Sequence, residues 1–375
     1  MTAPAHDPRK SNYIATLDGW RGIAIFCVLF CHSLHFYGPY ELVAPPLRPL
    51  NYVLARLGTF GVSLFFAISC YLICTLLLVE REKSGSISLR SFYIRRAFRI
   101  LPPAFTFLIG LALLSAFGLI RLHYGELASA AFLYSNYWPD KSWFTTHFWS
   151  LSLEEHFYLI WPSLLAFLGN TRATICAAIV VCAMAIVRPL ILAKVSLDDV
   201  PRLMEKTHMR LDSFMVACLV AILLRHPPLR QRFISVFRTP VWFSLAALLT
   251  VIVVTADKLG RHFIDARSIQ AALLAIMVAA TTLRPTDMIG RILELRPLKF
   301  VGRISYSIYL WQQLILQPVS TPNLALNLLH MLIKVAIVIG LAMLSYTFVE
   351  QPLIRLGRRL AEETPRPIPA TSLAD

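Results

Sequence analysis

An all-α bundle of about ten membrane-spanning helices is the fold class this sequence predicts, and three observations predict it. Of the 375 residues, 57% are hydrophobic and only 15% are charged, far from the balance of a water-soluble domain. Uncharged apolar runs long enough to cross about 30 Å of hydrocarbon recur along almost the whole chain, so no stretch is left for a large soluble domain. The basic residues lie between those runs, so the net charge of +15 reads as membrane topology and not as affinity for nucleic acid.

Ten segments have spanning length: 18–37, 58–79, 101–121, 148–168, 172–193, 211–225, 239–256, 267–284, 303–319 and 326–348, the sixth of them short. The apolar stretch 126–138 is too brief to cross and is expected at the interface or as a re-entrant piece. With the N-terminus inside, the inner loops carry roughly twice the Lys and Arg of the outer ones, as the positive-inside rule requires. Both termini are therefore expected in the cytoplasm. Residues 1–12 are polar and the first apolar run has no small-residue cleavage site, so it is expected to be retained as a helix. Residues 13–360 form one membrane domain in this reading, and the Pro-rich segment 361–375 a disordered tail. All seven cysteines lie inside apolar segments and are expected as packing residues, with no metal site.

Six stretches carry polar chemistry at membrane depth or at its border. The first, LDGWRGIAIFCVLFCHSLH, holds Asp18, Arg21 and His32. Arg21 and His32 are eleven residues apart, about three turns, so they share one helix face about 16 Å apart. Ionisable groups at such depth are costly and point to function. The second, FYIRRAFRILPP, stacks Arg95 and Arg99 at i, i+4 with Arg96 beside them; their forks suit phosphate, and serve equally as inner-border topology residues. The third, THFWSLSLEEHFYLIWP, holds His147, Ser150, Glu154 and Glu155; the two carboxylates diverge by about 100°, so only one is expected to face a cavity.

Three more follow. Arg210 and Asp212 open the short span as an ion pair or as a substrate contact, and FVGRISYSIYLW holds Arg303, Tyr306 and Trp311, with hydroxyls that either join helices or line a site. In SYTFVEQP, Glu350 lies at the inner border, within reach of a cytoplasmic arginine. No P-loop, dinucleotide fingerprint, serine elbow or HExxH zinc motif is present.

These six stretches, in this order, together with GVSLFFAISCYLI, resemble the bacterial membrane acyltransferase family three, whose members O-acylate surface polysaccharides, lipopolysaccharide, Nod factors or macrolides. The resemblance covers residues 13–360. It departs from the family pattern at Ser63, where an acidic residue is usual, at Cys70, usually glycine, and at Gln312, usually histidine. It implies a multi-pass protein of the bacterial inner membrane without the extracellular esterase-like domain that some members carry. It also implies an acyl-CoA donor, acetyl-CoA being the simplest, and a carbohydrate or glycolipid acceptor. In this reading Arg95, Arg96, Arg99 and Arg303 hold the coenzyme phosphates with help from Arg21. His32 is the general base, oriented by Glu154 or Glu155. Ser150, His147, Arg210, Asp212, Tyr306 and Trp311 contact the substrate, while Asp18 and Glu350 are structural. The competing reading is a transporter of a glycan or lipid-linked sugar that uses His32 and the glutamates as a proton relay.

Overall fold

A computed structural model of the chain describes residues 13–35, 43–196, 198–255, 266–317 and 323–363. The polar N-terminal segment and most of the expected tail lie outside the described residues. Sixteen α-helices follow one another among those described: α1 (Ala15–Leu34), α2 (Arg48–Ser84), α3 (Leu89–Ala116), α4 (Glu126–Ala131), α5 (Trp143–Thr146), α6 (Phe148–Leu192), α7 (Val200–Leu203) and α8 (Leu211–Leu223). Then come α9 (Pro227–Val236), α10 (Pro240–Thr255), α11 (Ala266–Leu283), α12 (Met288–Leu293), α13 (Arg296–Arg303), α14 (Ser305–Ile315), α15 (Leu324–Ser345) and α16 (Gln351–Glu362). The described residues contain no β-strand.

The described parts of the predicted segments lie mainly on helices, with 303–319 crossing the junction of α13 and α14 and 101–121 running past the end of α3. Five helices among the described residues are by themselves long and apolar enough to cross a membrane: Ala15–Leu34, Pro45–Ser84, Leu89–Ala116, Trp143–Leu192 and Leu326–Glu362. The pair α8 and α9, bent by 106° at their junction, makes a sixth when taken as one. The outward faces are apolar, with Ile109 59%, Phe167 80%, Ile179 62% and Leu332 64% exposed, which suits a lipid-facing surface far better than water.

Two helix limits differ from the sequence expectation. The helix bearing the arginine cluster starts at Leu89, twelve residues before the predicted span, because Ser88 caps it by accepting from the Ser91 amide. Pro102 and Pro103 therefore sit inside α3 rather than at its start, and the Pro102 carbonyl accepts from the Thr106 hydroxyl at 2.9 Å. The predicted spans 148–168 and 172–193 form one helix broken at Gly169, whose φ of 73° suits a residue without Cβ. At that break, Arg81 of α2 donates to the carbonyls of Leu165 and Ala166 and, at 2.7 Å, to Asn170 Oδ1, satisfying acceptors that the bend frees.

The 126–138 stretch forms only α4, six residues long, followed by Leu133 at a φ of 60°. Its Glu126 is fully buried and accepts from the amides of His123 and Ser142 and from the Thr145 hydroxyl. That carboxylate ties α4 to α5 and so fixes the backbone that leads into His147.

The core is built around α1, which packs most extensively on α2 and α13. Backbone meets backbone at the latter contact: a Cβ on Gly302 would lie 1.7 Å from the Asp18 carbonyl oxygen, so VGR needs its glycine for LDG to dock. Trp20 donates across to Thr281 of α11 at 2.8 Å, pinning α1 from the other side. The first helix is thereby held rigidly at both faces, and Arg21 and His32 with it.

Candidate active site

A pocket of about 700 Å3, counting the space at its mouth, opens between α1, α2, α3, α6 and α14. Arg21, Arg96, Arg99, Ser150, Glu154 and Tyr306 line it, so six of the predicted site residues converge from four stretches of sequence. Three guanidiniums face one carboxylate. Arg21 is engaged by Asp18 at 3.0 Å. Arg96 and Arg99 make no hydrogen bond or ion pair among the described residues, and Arg96 lies over the Tyr158 ring at 4.3 Å. Open arginine forks in a half-buried cavity are donors prepared for an anion.

Of the two adjacent glutamates it is Glu154 that faces the pocket, where it accepts from Tyr158 at 2.9 Å. Glu155 points elsewhere, with one carboxylate oxygen buried and unpartnered among the described residues. Glu350, on a π-helical turn (Tyr346–Glu350), accepts from Ser307 at 2.9 Å and interacts electrostatically with Arg99 and Arg21.

Ser150 Oγ and Tyr309 Oη, both lining the pocket, share a hydrogen bond of 2.6 Å, and His32 is not among the lining residues. His147 lies near both: its ring meets Tyr309 at 5.5 Å and interacts electrostatically with His32. His147 is buried, and both its ring nitrogens are unpartnered among the described residues. Arg21 and His32 thus share a helix but face opposite ends of one polar row.

The expected pairing of His32 with a glutamate is not what the structure holds. His32 Nδ1 lies 2.7 Å from Gln312 Oε1, and its ring packs edge-on against Trp143 at 5.2 Å. The reason is helical rise. Gln312 follows Tyr309 by about one turn on α14 and so projects beyond it, whereas Glu154 and Glu155 lie about one turn along α6 from Ser150. Tyr309, Tyr158 and Ser69, all lining the pocket, are polar residues within or beside the marked stretches; their hydroxyls were the signal.

Other predicted residues stand apart from the pocket. Arg95 is exposed and faces Glu80 at 3.8 Å, and unlike Arg96 and Arg99 it does not line the pocket. Arg303 sits 3.6 Å from Asp18 and donates to Tyr13 at 3.2 Å, where it closes the α1–α13 contact. Burial raises the Tyr13 phenol above its ordinary range, so it stays protonated and donates to Asp18 at 2.7 Å. Arg210 donates to the Met204 carbonyl and covers Trp149, and Asp212 pairs with Arg188; neither lines the pocket. Trp311 stacks edge-on to Phe107 as part of the wall behind His147.

No solved structure matches the chain significantly. The peptidoglycan O-acetyltransferase OatA of Listeria monocytogenes is 26% identical over 92% of this chain and 56% of its own length. YrhL of Bacillus subtilis, provisionally named a peptidoglycan O-acetyltransferase, is 27% identical over 94% of this chain and 57% of its own. A provisionally named O-acetyltransferase of Staphylococcus aureus is 28% identical over 96% and 60% respectively. The chain thus spans less than two thirds of the length of these relatives. A family model described as an acyltransferase domain matches residues 14–347. With the match running over nearly the whole described bundle, this chain belongs to the acyltransferase domain family.

Proposed function

We propose that the chain is a multi-pass membrane O-acetyltransferase that carries an acetyl group from acetyl-CoA in the cytoplasm to a hydroxyl of a surface carbohydrate or glycolipid. The observation that carries this reading is the pair of guanidiniums, Arg96 and Arg99, that line the pocket and make no hydrogen bond or ion pair among the described residues, in a polar row with His32. The donor's phosphates fit the forks of Arg96 and Arg99, with Arg21 behind them. Its acyl arm runs along the pocket toward Ser150 and Tyr309, whose hydrogen bond must open for the thioester to reach His32. The open nitrogens of His147 suit the acceptor hydroxyl. The relatives' names supply the acetyl group, and the peptidoglycan in two of them is a carbohydrate polymer.

In the reaction, His32 takes the proton of the acceptor hydroxyl as its oxygen attacks the thioester carbonyl. The carbon–sulfur bond breaks, and the imidazolium returns the proton to the departing thiolate, so no proton is gained or lost. In this reading, with ten spans and cytoplasmic termini, the arginines lie at the inner border, where the coenzyme is, and His32 toward the outside, where the acceptor arrives. The bacterial inner membrane is the setting this orientation requires.

The test is thiol release by purified protein given acetyl-CoA and a peptidoglycan fragment. Wild-type protein is expected to release free coenzyme and esterify the sugar, and His32→Ala to lose roughly 10²- to 10⁴-fold in turnover with unchanged melting. Release undiminished in His32→Ala dismisses the base assignment. Movement of unmodified sugar without any thiol release favours a transporter.

A further inference from the structure

The end of the polar row contains two buried amides that the reaction as described does not use. Gln312 and Gln313 are both 0% exposed, in the last turn of α14. Apolar residues there would cost less, since a buried amide is unfavourable unless both its ends are bonded. Here both ends of both are. Gln312 Oε1 faces His32 Nδ1 at 2.7 Å, and Gln312 Nε2 donates to Gln313 Oε1 at 2.7 Å. Gln313 Nε2 then donates to the backbone carbonyl of Trp143 at 2.8 Å.

The direction of this chain does not depend on how either amide is turned by itself. A backbone carbonyl only accepts, so Gln313 must offer its NH2 to Trp143 and its oxygen to Gln312. Gln312 must then offer its NH2 to Gln313 and its oxygen to His32. An oxygen facing Nδ1 at that distance requires a proton on Nδ1, and in the neutral imidazole the lone pair is then on Nε2.

We propose that Gln312 and Gln313 form an amide relay, anchored on the Trp143 carbonyl, that holds His32 as the Nδ1-protonated tautomer and leaves Nε2 as the proton acceptor. Both are positioning residues. The catalytic consequence rests on His32 being the general base, but the tautomer itself does not. The relay also ties the imidazole to α5, whose position the buried Glu126 sets, so the base is aligned by groups from three separate parts of the chain. A neutral partner has a further effect: unlike a carboxylate, it does not add a negative charge beside the imidazolium formed during proton transfer. His32 is thereby oriented without being made strongly basic.

The experiment reads tautomer and turnover separately. Full-length protein labelled with 15N-histidine is reconstituted in lipid nanodiscs, and the His32 signals are identified by their loss in His32→Asn. Wild-type protein is expected to show a protonated Nδ1 and a bare Nε2. Gln313→Leu leaves His32's own contact in place but frees Gln312 to turn, and is expected to mix the tautomers and lower kcat roughly five- to tenfold. KM for acetyl-CoA should stay within about twofold. Gln312→Leu should do the same. Gln312→Glu, whose ionised carboxylate accepts from Nδ1 but cannot donate to Gln313, should keep the Nδ1-protonated form while the charge it adds beside the imidazole shifts the pH profile of kcat upward. A bare Nδ1 in wild-type protein, or a tautomer unmoved by both leucine variants, overturns the relay. Mixed tautomers in the leucine variants, together with full turnover in His32→Ala, uphold the relay and overturn the base.

Discussion

Two groups of arginines lie within this bundle, and they are finished differently. Arg188 and Asp212 are both 0% exposed and pair directly, and Asp212 also accepts from Ser268 at 2.5 Å. Arg96 and Arg99 face a cavity and meet no counter-charge within ion-pair distance among the described residues. A buried cation already matched by a carboxylate holds helices together and has nothing left to offer a ligand. One left open, with its cost carried by the rest of the fold, is a site. From sequence the two groups look alike, because each is an arginine beside an apolar run with an acid somewhere near.

Mutations separate them. Asp212→Ala strands the Arg188 guanidinium in the interior and is expected to destabilise the protein by about 3–5 kcal/mol, read as a lowered melting temperature, with turnover per folded molecule unchanged. Normal melting would break the comparison at its structural end. Arg96→Ala or Arg99→Ala should leave melting unchanged and weaken acetyl-CoA binding by about 1.5–3 kcal/mol each, roughly 10- to 150-fold by titration calorimetry. Unchanged affinity would mean that these forks hold something other than the donor. Arg95→Ala, exposed and 3.8 Å from Glu80, should shift both stability and donor affinity by less than about 0.5 kcal/mol. A tenfold loss of affinity there would extend the anion site to Arg95 and blur the distinction.

The sequence located the stretches well and their internal geometry less well. LDGWRG and FVGR were legible as motifs, but that their glycines let α1 and α13 touch along the backbone needed coordinates. The 100° between Glu154 and Glu155 showed that one would face a cavity without saying which. Arg21 and His32 were correctly expected on one helix, yet only Arg21 lines the pocket. Gln312 was visible only as a departure from a family pattern. Its partner lies 280 residues away in the chain, and no local rule could pair them.

By itself the sequence determined the all-helical class, the outward apolar faces and the polar positions within the helices, since burying a backbone in hydrocarbon requires every amide to bond inside its own segment. Those are consequences of composition and spacing along one chain direction. Which arginine meets an acid and which stays open, which glutamate turns inward, and which amide orients His32 were decided only when α1, α3, α6 and α14 came together. Such pairings depend on the rotation and depth of each helix against its neighbours, and close packing across many residues sets those quantities at once.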